Sequence, residues 1–188
     1  MTLAEELAQR IVSLRFEDLP AEAVAAAKAG LLDTLGVALA GANEDAVQAA
    51  TAVLLVPGAH GASLLLGTAT RASALVAAAI NGMAANVLDY DDCNASLGGH
   101  PSAPVLSALV ALAEQMDAAG PQVLAAYVAG LETEAKIGRG VNNYHYEVGW
   151  HPTSTLGVFG SAAACAHLLG LSREQTVNAL AIAASHAA

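Results

Sequence analysis

The stretch from residue 81 to residue 104 reads NGMAANVLDYDDCNASLGGHPSAP. It places three carboxylates, a thiol and an imidazole between two long apolar helical patterns, and these groups belong to Asp89, Asp91, Asp92, Cys93 and His100. A chain dominated by Ala, Leu and Val has few polar groups to distribute, so their concentration here indicates that they act together. We expect one helix to end and another to begin in this stretch, with the functional site between them.

The sequence on both sides of the stretch has the periodicity of α-helices. From Ser73 the apolar pattern runs to Leu88, which places the carboxylates at a helix C-terminus, where the helix dipole disfavours negative charge. Such an arrangement requires a cation, a histidinium or a hydrogen-bonding partner nearby. Pro101 and Pro104 then predict the start of a helix that runs to about Ala119.

The rest of the chain predicts further helices, of which the first three are expected to pack as an antiparallel set. The segment at 62–67 is short and bounded by glycine, so we expect an extended link that crosses the surface. Ser172 and Gln175 predict a capping box for a last helix that still runs at Ala188. We therefore predict an all-α bundle of about seven to eight helices in a single domain, 1–188. The further helical segments are about 2–14, 20–41, 43–56, 121–139, 153–168 and 172–188.

Composition excludes several classes of function. The chain has a formal net charge of −10 and only seven scattered Lys and Arg residues, so we expect no nucleic-acid binding. The apolar windows contain Lys28, Asp33 or small residues, so we expect no membrane span. Two distant cysteines without a signal peptide indicate a reducing cytoplasm. Because 55% of the residues are hydrophobic, we expect a large subunit interface and a homodimer.

Three chemistries are compatible with the polar stretch. A calcium loop would need Asp or Asn at Cys93 and Gly at Asn94, and no zinc motif is present, so we expect no metal. The string at 89–92 also matches the DxDD of proton-initiating terpene cyclases, but 4% aromatic residues cannot line a carbocation cavity. Acid/base chemistry remains, with His100 and an aspartate as the proton-transfer groups. The alternative that His100 is an ordinary loop residue, and Cys93 a packing residue, stays open.

A second candidate site loop lies at 140–151, GVNNYHYEVGWH. It holds two of the four tyrosines, the only tryptophan and two histidines in a chain that is otherwise almost free of aromatic residues. His151, at its end, is a candidate partner of His100 in acid/base catalysis.

Several blocks in order resemble the MmgE/PrpD family, which includes 2-methylcitrate dehydratase, cis-aconitate decarboxylase and iminodisuccinate epimerase. The matching blocks cover essentially the whole chain and are Asn81-Gly82, Leu88-Asp89-Tyr90-Asp91-Asp92, Gly99-His100-Pro101-Ser102-Ala103-Pro104-Val105, Ala126-Tyr127-Val128-Ala129-Gly130-Leu131-Glu132, His151-Pro152-Thr153-Ser154-Thr155-Leu156-Gly157 and Leu168-Leu169-Gly170-Leu171.

The resemblance implies a cofactor-independent lyase domain for a small citrate-like di- or tricarboxylate, which it dehydrates or decarboxylates. It places Asp89, His100 and His151 as catalytic candidates, and Cys93 and Ser102 as candidate substrate-binding residues. It implies no metal and no organic cofactor. Members commonly carry Thr-His or a similar pair where this chain has Cys93-Asn94, so the substrate preference is not fixed by the resemblance.

The resemblance also implies that this chain corresponds to the helical part of a longer, two-domain protein. The catalytic lysine and an α+β domain of the family lie beyond the matched blocks, so we expect an incomplete site and a chain truncated relative to the family. Two alternatives stay open. The chain is a non-catalytic helical dimerisation module, or it belongs to an epimerase that returns the proton to the other face.

Overall fold

The computed structural model describes residues 2–58, 60–141 and 144–187. The fold is all-α, as predicted, and within the described residues eight helices have ten or more residues. These are α1 (Leu3–Ser13), α2 (Ala21–Gly41), α3 (Asp45–Leu54), α4 (Ala74–Asn86), α5 (Ser102–Met116), α6 (Gly120–Val141), α9 (Gly157–Leu168) and α10 (Arg173–His186). The short elements are a 3₁₀ turn (Phe16–Asp18), α7 (Tyr144–Glu147), α8 (Pro152–Thr155), and strands β1 (Ser63–Leu64) and β2 (Arg71–Ala72).

Helices α1 and α10 begin where side chains satisfy the first free N–H groups. Ser172 accepts the N–H of Gln175, and Gln175 accepts the N–H of Ser172, which is the predicted capping box of α10. Thr2 and Glu5 form the same reciprocal pair at α1. The described part of α10 ends at His186, earlier than expected, and Ala188 lies outside the described residues.

The expected antiparallel set of the first three helices does not form. α1 packs on α10 and α9, whereas α2 and α3 pack on α4. The reason lies in the apolar stripe of α1, because Ile11 packs with Ala163 of α9 and Leu180 of α10 in one cluster. Each of these early helices therefore covers a later part of the chain.

Glycines allow the central helices to approach closely. A Cβ on Gly130 of α6 would lie 2.8 Å from the carbonyl oxygen of Gly160 in α9. A Cβ on Gly41 of α2 would lie 2.2 Å from the carbonyl oxygen of Ala84 in α4. Real Cβ atoms do not approach oxygens this closely, so these backbone contacts require glycine.

The segment at 62–67 is extended, as expected, but it is not a surface link. β1 pairs antiparallel with β2, and Ser63 and Leu65 are buried. The buried side chain of Asn81 in α4 accepts the N–H of Leu66 and donates to the carbonyl oxygen of Leu64, both at 2.9 Å. Paired backbone groups explain how an extended segment is accommodated in the interior.

Among the described helices, α2 alone is long and apolar enough to cross a membrane by length and composition. Core helices of soluble proteins meet the same criterion, so the expectation of no membrane span stays a prediction. Only 22% of the apolar window of α2 is buried within the chain, and Leu32 and Leu39 are 74% and 53% exposed. The outer face of α2 is therefore an apolar surface that the described residues do not cover.

Candidate active site

The candidate site is built on the loop between α4 and α5. α4 ends at Asn86, and Asp89 then adopts a left-handed backbone conformation with φ of 55° while its N–H bonds the carbonyl oxygen of Asn86 at 2.9 Å. Non-glycine residues adopt this conformation infrequently, and aspartate is among those that tolerate it. The turn directs the chain away from the α4 axis and begins the polar loop.

The loop is closed on itself and packed against two other helical segments. The N–H of Asn94 bonds the carbonyl oxygen of Gly99 at 3.0 Å. Gly99 lies so close to α8 that a Cβ on it would be 2.8 Å from Oγ1 of Thr153. A Cβ on Gly138 of α6 would be 2.5 Å from the carbonyl oxygen of Ser96. The glycines at 99 and 138 thus allow the loop to sit directly on the helices beneath it.

His100 lies between two of the aspartates. Its Nε2 is 3.4 Å from Oδ1 of Asp89, and its Nδ1 is 3.4 Å from Oδ1 of Asp91. Nδ1 is also 3.1 Å from the backbone carbonyl oxygen of Asp91. Because a carbonyl oxygen only accepts, this contact assigns the proton to Nδ1 and leaves Nε2 to face Asp89. The side chain of Asp89 is 83% exposed, whereas that of His100 is 18% exposed.

The other two aspartates have hydrogen-bond donors. The carboxylate of Asp91 is buried and accepts both contacts of the Asn86 amide, at 3.0 and 3.2 Å. The carboxylate of Asp92 accepts the N–H of Ser102 at 3.1 Å and its hydroxyl at 2.5 Å. Asp92 therefore lies at the N-terminus of α5, where a negative charge is favourable. The predicted partners for the carboxylates after α4 are therefore confirmed. They are the imidazole of His100, the amide of Asn86 and the N-terminus of α5.

The two candidate substrate-binding residues have different surroundings. Cys93 is exposed, and its Sγ lies 3.7 Å from Nδ1 of His100. Ser102 is fully buried, and its hydroxyl contacts both Asp92 and the hydroxyl of Tyr127. If the Ser102 hydroxyl donates to Asp92, the Tyr127 hydroxyl must donate to Ser102. Burial raises the pKa of Tyr127 to about 12, which keeps this phenol protonated as a donor.

His151 is exposed and immediately precedes α8. It lines a cavity of about 360 Å³ together with Asn86 and Thr153. Thr153 accepts the backbone N–H of His100 at 2.9 Å, so α8 links the two histidines. No hydrogen bond joins the two imidazoles in the described chain. The structure places them on one side of the fold, on adjoining segments.

The second candidate loop begins later than predicted, because residues 140–141 are the end of α6, and Asn142 and Asn143 lie outside the described residues. In the described part the rings of His145 and Trp150 stack with centroids 6.1 Å apart. Nε2 of His145 also contacts the hydroxyl of Thr155 at 2.6 Å. His145 is therefore held against α8 on the side of the chain that carries His151.

Asp89, Asp91 and His100 are also the described group whose ligand atoms could hold a metal, since they lie within 4.8 Å of one another. The two carboxylates face opposite nitrogens of one imidazole, and a single ion can bond only one of these nitrogens. This arrangement suits ion pairing better than shared coordination. The expectation of no metal stays a prediction.

Sequence reasoning missed Glu134, which is completely buried in α6. Its spacing from Tyr127 and Gly130, seven and four residues, puts it on the buried stripe of the helix, and this periodicity was the available signal. Sequence reasoning also gave no role to Asn86, whose amide contacts the carboxylate of Asp91. Its contact with Asp91 required the fold of the loop and had no signal in the local sequence.

Comparison with known proteins identifies the family. The profile of the MmgE/PrpD N-terminal domain matches residues 5–188. Cis-aconitate decarboxylase of Homo sapiens is 31% identical over 194 residues, which cover 99% of this chain and 40% of the human protein. The enzyme of the same name from Mus musculus is also 31% identical, with 99% and 39% covered. A cis-aconitate decarboxylase-like protein of Aspergillus oryzae is 29% identical, with 97% and 39% covered.

The chain thus spans about 40% of the length of these curated relatives. The match extends over nearly every residue of this chain, including the polar loop, α8 and α10. The chain therefore belongs to the MmgE/PrpD family and corresponds to its N-terminal domain.

Proposed function

We propose that this chain carries part of the active site of a lyase that acts on a small citrate-like di- or tricarboxylate. The observation that carries the proposal is the position of His100, whose two ring nitrogens each lie 3.4 Å from a carboxylate oxygen. Similarity to proteins named cis-aconitate decarboxylase supports the substrate class, with cis-aconitate as the first substrate to test.

The reaction begins or ends with proton transfer next to a substrate carboxylate. Removing such a proton creates an enolate with additional negative charge, which needs a hydrogen-bond donor or a cation beside it. Nε2 of His100 is the group in this chain that can exchange a proton with the substrate, because Nδ1 donates to the carbonyl oxygen of Asp91. Asp89 orients the ring from the exposed side, and His151 is the second proton-transfer group.

Substrate binding is assigned to Cys93, beside the imidazole, and to Ser102 at the start of α5. A protein with a net charge of −10 must concentrate donors locally to attract a polyanion. The N–H and hydroxyl of Ser102 already donate to Asp92, so Ser102 contributes through that carboxylate, and Cys93 is the exposed group of the two. No metal or organic cofactor is proposed, because imidazole and carboxylate groups suffice for the proton transfer.

The decisive test is steady-state turnover of the protein expressed from the full coding sequence. 2-Methylcitrate, cis-aconitate and iminodisuccinate would be compared, since dehydration and epimerisation begin with proton abstraction next to a carboxylate, whereas decarboxylation breaks a C–C bond, releases CO₂ and requires a proton on the carbon skeleton. We expect release of CO₂ from cis-aconitate, and His100→Gln to lower kcat by about 10²- to 10⁴-fold. His186→Gln, an exposed histidine on α10, is the matched control. Inactivity on all three substrates by a folded protein would contradict the substrate class.

The second candidate is a non-catalytic helical dimerisation module, and the homodimer is proposed for either case. The exposed apolar face of α2, with Leu32 and Leu39, supports it. Sedimentation velocity should give a dimer, and Leu32→Glu with Leu39→Glu should give a monomer, whereas Ile182→Glu on α10 should not. A dimer without turnover of any of the three substrates would favour the module over the lyase.

A further inference from the structure

The side chain of Tyr127, on α6, is buried, and its hydroxyl meets a buried serine. The Tyr127 hydroxyl lies 2.5 Å from the hydroxyl of Ser102, the first residue of α5. A Cβ on Gly30 of α2 would lie 2.5 Å from the same phenol oxygen, so the backbone of α2 packs directly against it. Three helices therefore meet at this pair of hydroxyl groups.

The direction of these hydrogen bonds follows from the carboxylate at their end. Asp92 accepts the N–H of Ser102 at 3.1 Å and its hydroxyl at 2.5 Å. Because a carboxylate only accepts, the single proton of the Ser102 hydroxyl is used on Asp92, and the phenol must donate the other bond. Burial raises the pKa of Tyr127 to about 12, so the phenol keeps the proton that it donates. The donors therefore run from Tyr127 to Ser102 to Asp92.

Asp92 lies between two loop residues that contact His100. The preceding residue, Asp91, places its carbonyl oxygen 3.1 Å from Nδ1 of the imidazole. The following residue, Cys93, places its Sγ 3.7 Å from the same nitrogen. The carboxylate of Asp92 is instead bonded to the first residue of α5. The bond to Ser102 therefore fixes the middle of a segment whose two ends face the imidazole.

The Tyr127 hydroxyl strengthens this anchor from its buried end. Asp92 is half-buried and lines an open groove of about 660 Å³ between α2 and α6, so water can compete for its carboxylate. Ser102 is fully buried, and its oxygen would have no donor without the phenol. A hydroxyl group that accepts a hydrogen bond is polarised and becomes a better donor. Tyr127 therefore directs the proton of Ser102 toward Asp92 and strengthens the bond.

Glu134, about two turns further along α6, is also buried but makes no such connection. Neither of its oxygens has a hydrogen-bond partner among the described residues. Burial raises the pKa of Glu134 to about 9, so the group is uncharged at neutral pH. In the described part of the chain, the hydrogen bonds that lead from α6 to Asp92 are those of Tyr127 and Ser102.

We propose that Tyr127 is a positioning residue, whose hydroxyl holds the Ser102 hydroxyl on Asp92 and thereby fixes the loop segment that faces Nδ1 of His100. Its effect on the imidazole passes through Ser102 and Asp92, which are its hydrogen-bonded path to the loop. With the path intact, Nδ1 keeps its bond to the carbonyl oxygen of Asp91, and Nε2 carries the proton exchange. This inference rests on the proposed function only in the use that it assigns to Nε2.

The tautomer of His100 tests the inference without requiring turnover. In protein expressed from the full coding sequence with ¹⁵N-labelled histidine, the ring nitrogen shifts give the ratio of the Nδ1–H to the Nε2–H form. The spectra would be recorded at pH 8, above the range in which free histidine titrates. We expect the Nδ1–H form to dominate in the native protein, and the ratio to fall at least about threefold in Tyr127→Phe.

Thr34→Val is the matched control, because it also removes a buried hydroxyl group. The hydroxyl of Thr34 has no hydrogen-bond partner among the described residues, so its loss should leave the tautomer ratio of His100 unchanged. A change in ratio that is confined to Tyr127→Phe would show that the hydrogen bond, and not the burial of a hydroxyl group, orients the imidazole.

A double-mutant cycle shows whether Tyr127 acts through Ser102. Ser102→Ala should lower the tautomer ratio by at least as much as Tyr127→Phe, and Tyr127→Phe should add nothing in that background. If Ser102→Ala does not fold, Asp92→Ala takes its place in the cycle, since it removes the acceptor of the same hydroxyl. A native ratio in Tyr127→Phe, or additive effects of the two changes, would overturn the inference.

Turnover separates this inference from the preceding proposal. In an active protein, Tyr127→Phe should lower kcat by about three- to tenfold and change KM by less than about twofold, because it disturbs the proton-transfer group and no substrate contact. If the tautomer depends on Tyr127 but no substrate is turned over, the positioning role holds and the lyase proposal fails. If a substrate is turned over but the tautomer does not depend on Tyr127, the positioning role alone fails.

Discussion

His100 donates its backbone N–H to the hydroxyl oxygen of Thr153 at 2.9 Å. The two residues are far apart in sequence, and their bond joins the polar loop to the short helix that follows His151. Gly99 permits the approach, because a Cβ on it would be 2.9 Å from the backbone nitrogen of Thr153. The position of the catalytic candidate therefore depends on a side chain that has no direct part in proton transfer.

Thr153→Val should destabilise the protein by about 1–2 kcal/mol, because it keeps the shape of the side chain but leaves the N–H of His100 without its acceptor. Urea unfolding monitored by circular dichroism measures the change. Thr153→Ser retains the hydroxyl and should lose much less. A loss in Thr153→Ser with none in Thr153→Val would show that the methyl group, and not the hydrogen bond, holds the loop.

Asp89→Asn should raise the stability of the protein and lower its activity. Asparagine tolerates the left-handed conformation with φ of 55°, and the change removes a negative charge beyond the C-terminus of α4, so we expect a gain of about 0.3–1 kcal/mol. The loss of the carboxylate beside Nε2 should lower kcat by at least about tenfold. Asp117→Asn is the matched control, since Asp117 has φ of 52° at the end of α5. Unchanged kcat in the Asp89 variant would remove Asp89 from the site.

The helices were predictable because their signals are local. Leu7 and Ile11 repeat at helical spacing in α1, and Ser172 caps α10 with its own side chain. The polar loop was predictable for the same reason, because its concentration of polar residues differs from the apolar sequence on either side. These features depend on residues within one or two turns of each other.

Features that depend on distant residues were not predictable in this way. Glu134 can be buried because Gly160 leaves space for it, and these residues meet only after α6 packs on α9. The buried extended segment at 62–67 relies on the side chain of Asn81 for its backbone partners. In both cases a polar group is accommodated by the tertiary structure, against its local preference for the surface.

Gly160→Ala should destabilise the protein by about 1–3 kcal/mol, because the added methyl group has no space next to Glu134 and Val105. Gly36→Ala on α2 is the opposite control. A Cβ there has nothing within 4 Å, so the higher helix propensity of alanine should stabilise the protein by about 0.5–1 kcal/mol. Thermal unfolding of both variants measures the difference, and a neutral Gly160→Ala would show that α6 and α9 can separate without cost.

The two cysteines should react at very different rates with iodoacetamide at pH 8. Cys93 is exposed, whereas burial raises the pKa of Cys165 to about 11, and the thiolate is the reactive form. Mass spectrometry of the native protein should find label on Cys93 and little on Cys165, and both should be labelled in urea. Protection of Cys93 by cis-aconitate would support its role in substrate binding. Comparable native rates would contradict the burial of Cys165.

Glu134 should make the folded protein less stable as the pH rises from about 5 to about 9. Below its usual pKa of 4.5 the carboxyl group is protonated in both states and has no effect on the difference between them. Between 4.5 and about 9 the unfolded chain is ionised at this residue while the folded chain keeps its proton. Each pH unit in that window then lowers the free energy of unfolding by up to about 1.4 kcal/mol. Above about 9 the folded state ionises as well, and the loss stops growing.

Urea unfolding of the native protein and of Glu134→Gln at each pH unit from 5 to 10 measures this effect. The difference in unfolding free energy between the two isolates Glu134, because the other titrating groups cancel. We expect the unfolding free energy of Glu134→Gln, relative to that of the native protein, to increase steadily up to about pH 9. Glu132 is exposed, so Glu132→Gln should show the same pH dependence as the native protein. A difference that does not change with pH would mean that Glu134 ionises normally in the folded state. Normal ionisation would require a hydrogen-bond donor or a path to water at this buried carboxyl group.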